Sequence, residues 1–188
     1  MTEIELKARV ENPERLKTRL EALAVYRGAF EKEDAYWFPQ KPAPAIPPSG
    51  IRVRREKDVS PGGESSVIIH VTYKAKEVRK GIEINDEREF DVSQAKEFED
   101  LIGLLGCEKG ISKKKKGWAY SRGRINAELC EVEGLGWFIE LEILSDKKDG
   151  ETLDGAGKEL LLFLGDLGIG EEALESRYYT EMLRATDS

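Results

Sequence analysis

Sulfur and imidazole are nearly absent from this 188-residue chain, which has two cysteines, Cys107 and Cys130, and one histidine, His70. The cysteines fall in different segments with no CxxC or Cys/His spacing. That excludes a zinc site and a disulfide scaffold, and makes a reduced cytoplasmic compartment the expectation. No apolar run approaches the roughly 20 residues of a membrane span, and the chain opens on a charged segment instead of a signal peptide, so no membrane role is expected. An excess of positive charge is missing too: the formal net charge is -7, which speaks against a general nucleic-acid or anionic-membrane binder. What is abundant is charge of both signs, at 36% of residues with 39% hydrophobic, against about 25% charged in an ordinary domain. The length suits a single domain over 1–188 with a real core.

Asn12-Pro13 is a cap followed by a first-turn proline, and Leu16, Leu20 and Leu23 repeat at helical spacing, so a helix is predicted over 13–24. A second begins after Ser93, carries Phe98, Leu101, Ile102 and Leu105 on one side and stops at Gly106. A third spans 153–167 with Leu160, Leu161, Phe163, Leu164 and Leu167 inward, and a short helical tail ends near Arg184. Strands are predicted over 2–9, 35–39, 50–56, 66–77, 81–91, 111–121, 124–132 and 137–144. Five prolines between Pro39 and Gly50 mark an irregular loop, and Pro61-Gly62-Gly63 a hairpin turn. The class is α+β, with a large antiparallel sheet interrupted by helices.

In Glu3-Ile4-Glu5-Leu6-Lys7 the side chains alternate between an apolar face and an ionised one, as the period of a strand requires. One such strand is an ordinary solvated face. The design recurs, however, with Arg52 and Arg54; His70, Thr72, Lys74 and Lys76; Glu83, Glu87 and Glu89; Lys113 and Lys115; Arg122 and Arg124; Glu128; and Glu140 and Glu142. Bases pair on some strands and acids on others, and a sheet closed on itself would gather them in one polar lumen. Burying so many charges is costly unless a ligand completes the pairing. The basic set Arg52, Arg54, Lys74, Lys76, Lys113, Lys115 and Arg124 suits a polyanion with several tetrahedral groups. The acidic set Glu3, Glu5, Glu128, Glu140 and Glu142 suits Mg²⁺ or Mn²⁺, which take oxygen ligands and bridge carboxylates to phosphates. His70 and Cys130 read as an ordinary rim residue and a structural thiol.

Five blocks in order, Glu3 to Lys7, Ile51-Arg52-Val53-Arg54, Thr72-Tyr73-Lys74-Ala75-Lys76, Glu87-Arg88-Glu89-Phe90, and Glu131 to Glu142, make the chain resemble the CYTH family, or triphosphate tunnel metalloenzymes. That family contains class IV adenylyl cyclases and thiamine triphosphatases. Glu33-Asp34-Ala35-Tyr36-Trp37 and Tyr178-Tyr179-Thr180-Glu181-Met182-Leu183 look like its class IV cyclase-like branch. The resemblance implies an eight-stranded antiparallel barrel with flanking helices, a triphosphate tunnel, metal on the acidic side and phosphate on the basic side. Four positions depart from the family pattern. Cys130 stands where many members carry Asp, with Glu128 expected to supply the carboxylate; Asn85 stands where Arg is common, with Arg79 or Lys80 as substitutes; and Lys113 and Lys115 replace a pair that often includes Arg.

In the hydrolytic reading, metal held by Glu3, Glu5, Glu140 and Glu142 bridges the phosphates and a carboxylate such as Glu5 positions water, while Lys7 and the arginines neutralise the leaving group. In the cyclase reading the same grip holds ATP for attack by its ribose 3′-hydroxyl, with pyrophosphate leaving. Glu87 and Glu89 join the substrate-binding set in either case. A non-catalytic polyphosphate-binding module is the third reading, and a homodimer stays open. Tripolyphosphate, ATP and thiamine triphosphate are the expected small-molecule partners.

Overall fold

The computed structural model describes residues 2–41, 50–60, 66–79, 82–147 and 149–186, with the side chains at 74–76 and 79 outside the described part. The proline-rich stretch and the Pro61-Gly62-Gly63 turn therefore lie outside the described residues, except at their edges. Eight strands occur in chain order: β1 (Thr2–Arg9), β2 (Val25–Pro39), β3 (Ile51–Asp58), β4 (Val67–Arg79), β5 (Ile82–Asp91), β6 (Cys107–Arg122), β7 (Ile125–Val132) and β8 (Gly136–Ser145). They close into an antiparallel barrel in the order β1-β5-β4-β3-β2-β6-β7-β8. Helix α1 (Pro13–Leu23) follows β1, α2 (Ala95–Leu104) follows β5, α3 (Gly150–Asp166) follows β8, and α4 (Tyr179–Thr186) ends the described chain.

The main hydrophobic core lies outside the barrel wall. Cross-strand register stacks Ile4 on Ile143, Leu6 on Leu141 and Ala8 on Ile139, and continues to Ile125, Ala127 and Leu129 of β7. These outward faces meet Leu16 and Leu20 of α1 and Leu153, Leu160, Phe163 and Leu164 of α3. Each such side chain contributes roughly 1.5–3 kcal/mol when fully buried. Local chemistry places the helices: the Asn12 side chain accepts from Arg15 N ahead of Pro13, and Asp149 caps α3 through Thr152 N. With the apolar side chains turned outward, the alternate residues of the same strands point inward.

The predicted strands and helices stand with three differences. Strand β2 begins at Val25 rather than 35, and β6 at Cys107 rather than 111. On β2 the inward Lys32 and Asp34 alternate with outward Glu31 and Glu33, so both faces are polar and no amphipathic signal marks the strand. On α2 only Ala95 and Ile102 are buried, with Phe98 partly covered, while Leu101 and Leu105 are exposed. That helix rests on a small cluster around Val53 and Trp37, which covers only part of the predicted stripe.

A carboxylate fastens the C-terminal segment to the barrel. Glu175 N donates to Lys7 O at 2.8 Å, and its carboxylate accepts from Arg177 Nε at 2.9 Å and Nη2 at 2.6 Å, and from Arg9 Nη2 at 3.2 Å. These bonds, Arg177 first, hold its pKa down to about 2 from an ordinary 4.5. Because the folded-state value is lowered, the stabilisation is complete above about pH 4.5 and lost as pH falls toward 2. Thermal melts of wild type and Glu175→Gln are expected to differ at pH 7 and to converge as pH falls through that window.

Candidate functional site

Inward residues from all eight strands line one cavity of about 910 Å³, joined at one end by Tyr178, Tyr179, Glu181 and Arg184 of the C-terminal segment. Of the residues predicted to face it, Glu3, Glu5, Lys7, Arg52, Arg54, Glu87, Glu89, Lys113, Lys115, Glu128, Glu140 and Glu142 do so. His70 is there as well, with Nδ1 2.6 Å from Asp91 Oδ1. Lys74 and Lys76 sit on β4 opposite Glu87 and Asn85; their side chains lie outside the described residues, as do those of Arg79 and Lys80. Alternation in the lysine run holds: Lys113 and Lys115 are buried, while Lys114 and Lys116 are exposed and pair with Glu33 and Glu131.

Arg124 is a correction. It sits at the β6–β7 turn, its side chain 52% exposed, and gives both Nε and Nη2 to Glu159 of α3 on the outside of the barrel. Arg122 likewise pairs outside, with Asp166. Both lie past the end of the alternating run, where the turn and the outward parity of β6 carry them away from the lumen.

Within the lumen acids and bases touch. Lys115 Nζ lies 2.8 Å from Glu128 Oε2 and 2.6 Å from Glu140 Oε2, and Lys32 Nζ is 2.7 Å from Glu128 Oε1 and 3.2 Å from Glu56 Oε2. Burial would raise the pKa of Glu128, but Lys115 and Lys32 outweigh it and hold it down to about 2. Burial would raise Glu140 too, but Lys115 and then Lys113 hold it well below the usual carboxylate range, and Lys115 is held above an ordinary lysine although burial alone would lower it. Lys7 is 3.3 Å from Glu83. Arg52 Nη2 donates to Thr72 Oγ1 at 2.9 Å, and that hydroxyl donates to Glu89 at 2.7 Å. Asp34 receives Arg54 through Nε at 2.7 Å and Nη2 at 3.0 Å, and Lys113 at 3.0 Å.

Lys32, Asp34 and Glu56 were not singled out as site residues from the sequence. The sequence signal for the first two is the alternation Phe30, Lys32, Asp34, Tyr36, masked by charged residues on the other face.

The acidic residues are hard oxygen donors on neighbouring strands: Glu5 is level with Glu142 and Glu83, Glu128 with Glu140, and Glu3 with Asn85. Asn85 Nδ2 donates to Glu3 Oε1 at 2.9 Å, and its buried Oδ1 has no hydrogen-bond partner among the described residues. This donor chemistry fits a hard divalent cation. Among the described residues no three carboxylates converge on one point, and Glu128 and Glu140 are both paired with Lys115.

One end of the lumen is apolar. Phe30, Cys130, Val132, Phe138, Tyr179 and Met182 form a buried cluster there, and Gly117 lets β6 approach, since a Cβ on it would stand 2.1 Å from Leu129 O. The Tyr179 ring has Lys7 Nζ at 4.8 Å and Lys113 Nζ at 4.7 Å from its centroid, so α4 brings an aromatic face to two lumen cations. Burial, then Glu140, pushes the Tyr179 hydroxyl well above its usual range. Cys130 is packed in this cluster, and burial pushes its thiol up to about 12, as a structural thiol requires.

The CYTH domain family matches residues 1–179. A candidate adenylate cyclase of Methanocaldococcus jannaschii is 27% identical over 112 residues, which span 60% of this chain and 63% of that protein. The structure of the PH1012 protein of Pyrococcus horikoshii is 29% identical with a TM-score of 0.75, covering 95% of this chain and 98% of that one. A Hippeastrum protein, described as a candidate adenylyl cyclase with a dominant triphosphatase activity, shares the fold at 15% identity and TM-score 0.59, over 98% of this chain and 96% of that one. Among the described residues no helix is long and apolar enough to cross a membrane.

Replacing Cys130 by Asp puts a carboxyl into the apolar cluster. Urea unfolding of Cys130→Asp is expected to show a loss on the order of 2 kcal/mol or more.

Proposed function

This chain belongs to the CYTH family, and we propose that its tunnel binds a triphosphate compound with a hard divalent cation and hydrolyses it. The observation that carries this reading is the single lumen in which Arg52, Arg54 and Lys113 stand on one arc of the wall and Glu3, Glu5, Glu140 and Glu142 on another. Arg52 and Arg54 supply forked donors to phosphate oxygens, and Lys113 a point charge. Glu3, Glu5, Glu128, Glu140 and Glu142 would hold Mg²⁺ or Mn²⁺, which supplies charge neutralisation at the phosphate oxygens when bound. Lys115 turns to phosphate when Glu128 and Glu140 take another cation. Lys7, level with Glu140 in the β1–β8 register, offsets charge on the leaving group. Glu5 orients the attacking water. Such catalysis is mainly positioning and electrostatics.

The cyclase reading has an observation of its own: Tyr36, Phe38 and Tyr178 line the same cavity and offer aromatic surface for an adenine, with attack then at the α-phosphorus. Phosphorus NMR separates the readings when the protein is incubated with Mg²⁺ or Mn²⁺ and, separately, tripolyphosphate, thiamine triphosphate and ATP. Orthophosphate release is the expected outcome. Cyclic AMP with pyrophosphate from ATP would establish the cyclase, and tight binding without turnover a binding module. The double variant Glu140→Gln, Glu142→Gln is expected to lose metal-dependent turnover with an unchanged far-UV spectrum.

Removing one forked phosphate contact should show in the substrate constant. Arg52→Ala is expected to raise the KM for the triphosphate on the order of tenfold to a hundredfold, the weight of a charge-assisted hydrogen bond. Steady-state kinetics check this, and an unchanged KM would remove Arg52 from the phosphate site.

A further inference from the structure

Among the described residues Asp34 is the most deeply buried charge of the tunnel wall, with no solvent exposure. In register it lies between Arg54 of β3 and Lys113 of β6, so the three side chains stand abreast on one face of three adjacent strands. Arg54 and Lys113 line the cavity, and Asp34 stands behind them. We propose that Asp34 is a positioning residue that sets the spacing of Arg54 and Lys113, and that this spacing selects a polyphosphate over a single phosphate group. The proposal rests on the reading that these two cations contact phosphate.

The contacts constrain both cations while leaving donors free. Asp34 takes Nε–H and one Nη2–H of Arg54, and a guanidinium has five N–H groups, so three remain for an anion. Lys113 is fixed on two sides, by Asp34 Oδ2 at 3.0 Å and by the Tyr179 ring, with further N–H groups to offer. Without Asp34, two like charges would be buried on strands either side of β2 with nothing between them.

The Glu128 pairs differ in kind. Glu128, which holds Lys115 and Lys32, is 24% exposed at its side chain and open to exchange, whereas no solvent cation reaches Asp34. Burial alone would raise the pKa of Asp34, but Arg54 and Lys113 outweigh it and keep the carboxylate ionised. Asp34 is therefore a fixed counter-charge, and the two cations hold one geometry with or without a ligand, as preorganised recognition requires.

Charge and position are separable by titrating metal-free protein calorimetrically with tripolyphosphate and with orthophosphate at one ionic strength. Asp34→Asn removes the charge and keeps the shape. It is expected to bind orthophosphate at least as well as wild type while its preference for tripolyphosphate falls about tenfold or more, as a misplacement near 1 Å would cause. Asp34→Glu keeps the charge and shifts the carboxylate by one methylene. It is expected to lose preference as well, with a melting temperature nearer wild type, and it carries the comparison if Asp34→Asn does not fold. A preference unchanged in both variants overturns the proposal. A preference lost in Asp34→Asn and kept in Asp34→Glu also overturns it, since charge alone would then suffice. A wild type with no preference for tripolyphosphate refutes the underlying phosphate reading itself, whatever the variants do.

Discussion

A charge taken out of water must meet an opposite charge, and that constraint rules the interior of this barrel. Glu128 and Glu140 share Lys115, Lys32 joins Glu128 to Glu56, Asp34 holds Arg54 and Lys113, and Lys7 faces Glu83. Removing one partner from such a network leaves an uncompensated buried charge, which costs more than an intact pair contributes. The lumen is therefore a set of interlocked pairs whose stability depends on every member.

The inside-out character of the fold follows. With ionised residues inward on β1, β7 and β8, the apolar residues of those strands face outward and require cover, which α1 and α3 provide through Leu16, Leu20, Leu160 and Phe163. The helices are thus the other half of a core divided by the barrel wall. A second apolar cluster closes one end of the lumen, where Phe138 and Cys130 meet Tyr179 and Met182 of α4. Glu175, bonded to Arg9 and to the Lys7 carbonyl, fixes the approach of that helix, and so couples the C-terminal segment to the tunnel.

A lumen that neutralises itself is also one that can exchange partners. A polyanion with a hard cation brings both signs together, so it can replace the Lys115 pairs without leaving a net buried charge. The Asp34 pairs differ, since their acid is fully buried behind two bases that line the cavity. On the proposed reading, the exchangeable pairs would give binding its driving force and the fixed pairs its geometry. This division of labour suits phosphoryl chemistry, where positioned charge does most of what a protein can do.

The sequence by itself determined which strands are amphipathic, which helices cap where, and which residue types meet in the lumen. Glu3, Glu5, Glu140 and Glu142 were legible as inward acids because Ile4, Leu6, Ile139, Leu141 and Ile143 between them are apolar, and period-two alternation is a local property. The start of β2 was not legible: Glu31 and Glu33 face water while Lys32 and Asp34 face charge, so neither side carries a hydrophobic mark. Arg124 looked like a continuation of the basic face until the β6–β7 turn took it to Glu159. Only the tertiary structure decided the pairings. Parity assigns a side chain to a face, but its neighbours on that face depend on strand order and register around a closed barrel. Asp34 thereby lies between two cations 20 and 79 residues away in the chain, Arg54 and Lys113, because hydrogen-bonded strands are adjacent in space regardless of their separation in sequence.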